Sequence, residues 1–163
     1  MGLSLYSTNS LEDVARECPN TIKFMQLQFY CDRQFMEQVV KRAEKAGYKA
    51  IFLTVDIPVY GRHKARRNFL LPKYLKYANF KSLQTEKRLR TNEEIDNYII
   101  SASDASVDWN TFDWLRSISS LPFVLKGILT PEDARLAVQH GAQGIMVSNH
   151  GGRQLDGVPA TVR

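Results

Sequence analysis

Apolar and polar positions alternate between two periods from Thr21 onward. Ile22 to Phe29 is an apolar-rich run of strand length. Asp32 then opens a segment in which Phe35, Met36, Val39, Val40 and Ala43 recur at helical spacing until Gly47 stops it. Tyr48 to Val55 returns to the strand pattern. Further on, Asn110 is expected to cap a helix carrying Trp114, Leu115 and Ile118, and Phe123 to Ile128 is the strand that follows. Thr130-Pro131-Glu132-Asp133 reads as a helix start, because proline at the first helical position gives up an N–H that has no partner there and acids meet the positive end of the helix dipole. That helix runs to His140, ends at Gly141 and precedes a strand from Ala142 to Ser148. At the front, Leu3 to Tyr6 and a helix from Ser10 to Glu17 make a shorter unit.

Strands separated by helices of this length pair in parallel through right-handed crossovers, so the fold class is α/β. No GxGxxG follows the first strand, which argues against a dinucleotide-binding doubly wound sheet and leaves a (β/α)8 TIM barrel as the better architecture. A closed barrel takes about 250 residues. The 163 residues here, with five strand candidates and a long basic insertion, therefore predict a partial barrel forming one domain over 1–163, with 57–108 as an insertion loop.

Side chains alternate across a strand, so residues of equal parity share a face. One parity collects Ser4 with Tyr6, then Phe24, Gln26 and Gln28, then Phe52, Thr54 and Asp56, then Val124 and Lys126, then Met146, Ser148 and His150. The other parity is almost wholly apolar, as in Ile51, Leu53 and Val55 or Ile145 and Val147, and suits packing against outer helices. Each strand thus sets a polar group or two on one face near its C-terminal end, where barrel active sites are built. Taken singly, Lys126 could be a strand-end lysine reaching water, Asp56 could start a turn, and Ser4, Gln26 and Thr54 could be satisfied barrel-lining groups. His150 followed by Gly151, Gly152 and Arg153 is more specific. A strand-end histidine, glycines permitting close approach and a guanidinium three residues on make a corner able to bind an anion and move a proton.

Charge changes the picture in one place. Lys and Arg number 22 against 17 Asp and Glu, a net charge of +5. Much of the excess lies between Arg62 and Arg90, a stretch without regular strand and helix alternation, which reads as a solvated, mobile insertion with a functional basic patch as the alternative. Its charges lack regularly interleaved stacking aromatics, so no nucleic-acid partner is expected. No apolar run approaches the ~20 residues of a membrane span, and Met1-Gly2-Leu3-Ser4 lacks the basic start and apolar stretch of a secretory signal. Cys18 and Cys31 have neither metal-like nor disulfide-framework spacing and are read as small packing thiols in a reducing compartment.

Ser148-Asn149-His150-Gly151-Gly152-Arg153-Gln154-Leu155-Asp156 resembles the active-site signature of the FMN-dependent α-hydroxy acid oxidases and dehydrogenases. Leu3-Ser4, Met25-Gln26-Leu27, Leu53-Thr54-Val55-Asp56 and Leu125-Lys126-Gly127 fall in that family's order, so the resemblance covers essentially the whole chain. It implies a (β/α)8 barrel of which this chain holds about strands 2 to 6, without the last strands, where the family holds the flavin phosphate. It implies FMN as cofactor, with Ser4, Gln26, Thr54 and Ser148 touching the flavin ring or ribityl chain and Lys126 beside flavin N1. It further implies His150 as catalytic base, Asp56 as its partner, Arg153 as a clamp on the substrate carboxylate, and Tyr6, Arg62 and His63 on the substrate side. The chemistry is coherent: no protein side chain takes two electrons from a C–H bond, a cation stabilises an anionic reduced ring, and a carboxylate stabilises an imidazolium. The implied reaction oxidises a small 2-hydroxy acid to a 2-oxo acid, with oxygen reduced to hydrogen peroxide, in a peroxisomal homo-oligomer. Three positions depart from the family pattern. Gln28 stands where a tyrosine is usual, His63 where a second substrate-binding arginine is expected, and Tyr6 where tryptophan is frequent. These departures and the partial barrel leave the alternative of an inactive homologue acting by association with a full-length chain.

Overall fold

In a computed structural model, which describes residues 1–59, 71–86 and 90–162, five parallel strands lie side by side in chain order. They are β1 (Gly2–Ser4), β2 (Phe24–Gln28), β3 (Ala50–Thr54), β4 (Phe123–Ile128) and β5 (Gly144–Val147). Crossovers carry α1 (Leu11–Glu17), α2 (Arg33–Lys45), α3 (Lys81–Glu86), α4 (Asn92–Ser101), α5 (Trp109–Ser117) and α6 (Pro131–Gln139). Strand order equal to chain order is what successive βα units of a barrel produce.

The core lies between the outward face of the sheet and the helices. Met25, Leu27, Ile51, Leu53, Phe123 and Leu125 supply the strand side, and Phe35, Met36, Val39, Val40 and Ala43 the stripe of α2 that meets it. This is the apolar parity of the sequence, and burying it removes several side chains from water at roughly 1.5–3 kcal/mol each. On β5 the pattern gives a different result: Ile145 and Val147, expected to pack under outer helices, are exposed.

Helix starts are chemically marked. Ser10, Asp32, Thr91, Asp108 and Thr130 each accept a backbone N–H from the first turn, satisfying a donor that has no intrahelical partner. For α5 this corrects the expected cap. Asp108, in extended backbone, accepts from Thr111 N at 2.8 Å, whereas Asn110 already lies inside the helix and donates its amide to Asp108 Oδ2 at 2.9 Å.

The segment 57–108, expected to be a loop with a solvated basic stretch, holds a 3-10 turn at Ala78–Phe80 as well as α3 and α4, and it buries Phe80, Leu83, Ile95 and Ile99. The apolar residues at helical spacing were overshadowed there by the lysines and arginines around them. Asn79, fully buried, staples the segment to the front of the chain: its Oδ1 accepts from Leu11 N at 2.9 Å and its Nδ2 donates to Leu5 O at 3.3 Å. Cys31 is exposed and Cys18 half-buried, which corrects the view of both thiols as packing residues. Among the described residues, no helix is long and apolar enough to cross a membrane.

Candidate active site at the strand ends

The inward face of the sheet carries two rows set by the parallel register. Ser4 pairs with Gln26 and Gln26 with Phe52, then Gln28 with Thr54, Thr54 with Lys126, and Lys126 with Met146. Gln26 Nε2 donates to Thr54 Oγ1 at 3.0 Å and to Leu27 O at 3.1 Å. Phe24 and Phe52 stack beneath them with centroids 4.9 Å apart. Gln28 and Thr54 are buried.

Beyond these rows the C-terminal ends of β3, β4 and β5 bring three charged or titratable groups together. His150 Nδ1 lies 2.8 Å from Asp56 Oδ1, across 94 positions of sequence. Lys126 Nζ is 3.2 Å from the same Nδ1 and 3.8 Å from Asp56 Oδ2. Their side chains are 17% (His150), 11% (Asp56) and 21% (Lys126) exposed, so all three are largely withdrawn from water. A carboxylate only accepts and an ammonium only donates, so Nδ1 cannot bond to both. The shorter contact assigns it: Nδ1–H donates to Asp56, and the Lys126 ammonium acts as a neighbouring positive charge. Nε2 is then the nitrogen left to act on a ligand.

The backbone after β5 is built to present this imidazole. His150 has φ +58°, followed by Gly151 and Gly152 at φ +67° each, so three consecutive residues occupy the left-handed region, costly for the histidine and free for the glycines. The side chain of Asn149 holds the turn by accepting from Gly151 N at 3.1 Å and Gly152 N at 3.3 Å. Ser148 Oγ accepts from His150 N at 3.0 Å, so the hydroxyl expected to touch a flavin is engaged in orienting the histidine.

Other expected site residues lie elsewhere. Tyr6 is outside β1: the strand ends at Ser4, whose Oγ accepts from Tyr6 N at 3.1 Å, so the alternation argument does not extend to it. Its hydroxyl lies 2.6 Å from Tyr30 Oη and its ring stacks on Phe80 at 5.9 Å. Arg153 is exposed and is not drawn into the His150 group. Arg62 and His63 lie outside the described residues. Two contributors escaped the sequence reading. Phe80 was hidden in the basic stretch. Gly127 had a legible signal, since a lone glycine inside a strand pattern marks a bulge.

The inward face also meets the needs of a flavin ring. An amide and a hydroxyl supply donors and acceptors for the ring's polar edge, and Lys126 supplies the cation an anionic reduced ring needs. A run of parallel βα units with a histidine, a carboxylate and a lysine gathered at its strand ends has the architecture of part of a (β/α)8 barrel. The chain belongs to the FMN-dependent dehydrogenase family, whose description matches residues 1–163. It is 49% identical to glycolate oxidase of Spinacia oleracea over 99% of this chain and 44% of that protein. To 2-hydroxyacid oxidase 1 of Mus musculus it is 47% identical, over 99% of this chain and 45% of the relative. A mandelate oxidase crystallised with (S)-4-hydroxymandelic acid superposes with TM-score 0.82 at 37% identity, covering 98% of this chain and 45% of that one. A mandelate oxidase variant holding a C4a-OH-FMN adduct gives TM-score 0.78 at 38% identity, over 98% of this chain and 42% of that one. The chain thus spans a little under half the length of the relatives it matches.

Proposed function

We propose that this chain carries the oxidising face of an FMN-dependent 2-hydroxy acid oxidase, which turns a small 2-hydroxy acid into a 2-oxo acid with oxygen as acceptor and hydrogen peroxide as second product. The observation that carries this reading is the His150–Asp56 pair beside Lys126 at three strand ends, in a chain of the FMN-dependent dehydrogenase family. FMN, when bound, supplies the acceptor for two electrons. His150 takes the substrate proton at Nε2, Asp56 stabilises the imidazolium through Nδ1, and Lys126 places positive charge beside the ring. Gln26, Thr54, Ser4 and Ser148 hold the ring and ribityl chain. Arg153 turns in from its exposed position to bind the substrate carboxylate through its planar fork, with Tyr6, Arg62 and His63 on the substrate side. The family resemblance is the support for a peroxisomal location and a homo-oligomer.

The test is to add FMN to the purified 163-residue chain and to a version completed to the length of its relatives. Visible spectrum and flavin fluorescence are followed first, then peroxide from glycolate and longer 2-hydroxy acids. The completed chain is expected to bind FMN and release peroxide, and the 163-residue chain to bind weakly or not at all without turnover. A completed chain that binds FMN and leaves every 2-hydroxy acid untouched sinks the oxidase reading.

A further inference from the structure

We infer that Gly127 is a positioning residue for the His150–Asp56 pair: a glycine bulge in β4 makes the space in which the Asp56 carboxylate is held against His150, and a side chain at position 127 would displace it. The inference rests on the proposed role of that pair and adds a residue to it.

Three observations converge. The pairing of β4 with β5 slips at this point, Lys126 standing opposite Met146 and Ile128 opposite Val147, so Gly127 is the extra residue of a bulge. Its φ is +115°, a backbone conformation in which an L side chain is strained. Asp56 occupies the volume a side chain would take. A Cβ placed on Gly127 would stand 2.5 Å from Asp56 Cβ, 2.6 Å from its Cγ and 2.8 Å from Oδ2. Non-bonded carbons need about 3.5–4.0 Å. Because Asp56 Cβ is fixed to its backbone, rotation about χ1 leaves the shortest of these contacts in place.

The carboxylate is held from two sides. Oδ2 is buried with no hydrogen-bond partner and faces the gap at Gly127, while Oδ1 receives His150 Nδ1–H. The neighbouring strands are locked here, since Val55 N donates to Lys126 O at 2.9 Å, one residue from Asp56 and one from Gly127. The bulge therefore does two things at once. It leaves Lys126 in register on the inward face, and it opens the space that Asp56, two residues past β3, occupies beside His150. A larger residue at 127 pushes Asp56 away from the imidazole.

The experiment reads the His150 tautomer by 15N NMR of histidine-labelled protein, with no flavin and no turnover. In the wild type, neutral His150 is expected as the Nδ1–H tautomer, because Asp56 can only accept. Asp56→Ala removes the acceptor and abolishes that preference, and Gly127→Ala is expected to do the same although Asp56 is still present. Should Gly127→Ala fold poorly, thermal melts of double variants decide. Asp56→Gly in that background raises the melting midpoint part of the way, because it removes the clashing Cβ and leaves only the strain of φ +115° at position 127, and Asp56→Ala raises it much less. A Gly127→Ala protein that retains the wild-type tautomer overturns the inference, as does an Nε2–H wild type or a double variant with Asp56→Gly no more stable than Gly127→Ala alone. A Gly127-dependent tautomer in a completed chain without oxidase activity would keep this inference and remove the functional reading.

Discussion

Among the described residues two histidine–aspartate pairs share one bond length, and their surroundings separate them. His140 Nδ1 lies 2.8 Å from Asp113 Oδ2, as His150 Nδ1 lies 2.8 Å from Asp56 Oδ1. His140 caps the C-terminal end of α6, stacks on Trp109 at 5.0 Å and fastens α6 to α5. Its pair is 27% and 42% exposed, so the bond competes with water. His150 stands on strained backbone at a strand end, its partner is nine-tenths buried, and an ammonium lies within 4 Å of both. A His–Asp bond is therefore no signature of catalysis on its own. Burial of the carboxylate, a strain the fold must hold and a second charge at the same point make one pair a candidate for chemistry and leave the other a fastener.

The largest expected difference between the pairs is in turnover. In a chain completed to the length of its relatives, His150→Ala lowers kcat by about 10²- to 10⁴-fold, the contribution of a positioned base, with FMN still bound. His140→Ala leaves kcat/KM within about twofold. Equal losses from the two variants would break the comparison at its centre. Next in size is Arg153→Lys, which raises KM by about tenfold, the equivalent of one charge-assisted hydrogen bond lost with the planar fork, and changes kcat less. A fall in kcat at constant KM would remove Arg153 from substrate binding.

At α5 the comparison sharpens again, because Asp108 caps the helix that carries Asp113. Asp108 accepts from the Thr111 N–H, the Asn110 amide and the Thr111 hydroxyl, and these hold its carboxyl down at about 2 from an ordinary 3.8. A carboxyl depressed by folding stabilises above its unfolded value, and that stabilisation is lost as pH falls through the folded value. Asp108→Ala is therefore expected to lower the thermal midpoint at pH 6. The gap to wild type should close as the pH is taken from about 4 towards 2. A gap that stays constant over that range would show that the cap acts without its charge.

How far the sequence discloses these differences depends on the range of the interaction. Strand-to-helix alternation is local, and β4 was legible residue for residue because Phe123 to Ile128 has a turn on each side and a lysine marking its inward face. Of the three converging groups only Lys126 stands on a strand; Asp56 lies two residues past β3 and His150 three past β5, so parity alone does not account for their meeting, which the turns after the strands complete. Parity failed at Tyr6, one turn past the strand, and Phe80 was concealed by the surrounding charge. The apolar parity on β5 does not say what covers it, and Ile145 and Val147 look the same in sequence as the buried Ile51 and Leu53. Gly127 was visible only as a glycine in a strand. Its meaning lies in Asp56, 71 positions away in the chain, which no local pattern encodes.

The smallest expected effect belongs to the fastener pair. His140 and Asp113 are partly exposed, while Phe112, Leu115 and Ala137 of their helices are buried in the common core, so the bond adds little to what apolar burial already contributes. An ion pair this exposed is worth at most about 1 kcal/mol, because water solvates both groups when they part and side-chain entropy opposes holding them together. The measurement is a double-mutant cycle with His140→Ala and Asp113→Ala in urea unfolding, which isolates the coupling from whatever else each truncation removes. The stacking of His140 on Trp109 stays with the single His140→Ala variant and so appears as a larger loss there than in Asp113→Ala. Raising the salt concentration should shrink the coupling further, as screening does for exposed charges. A coupling of several kcal/mol, unaffected by salt, would mean that the two pairs are built alike and that exposure does not distinguish them.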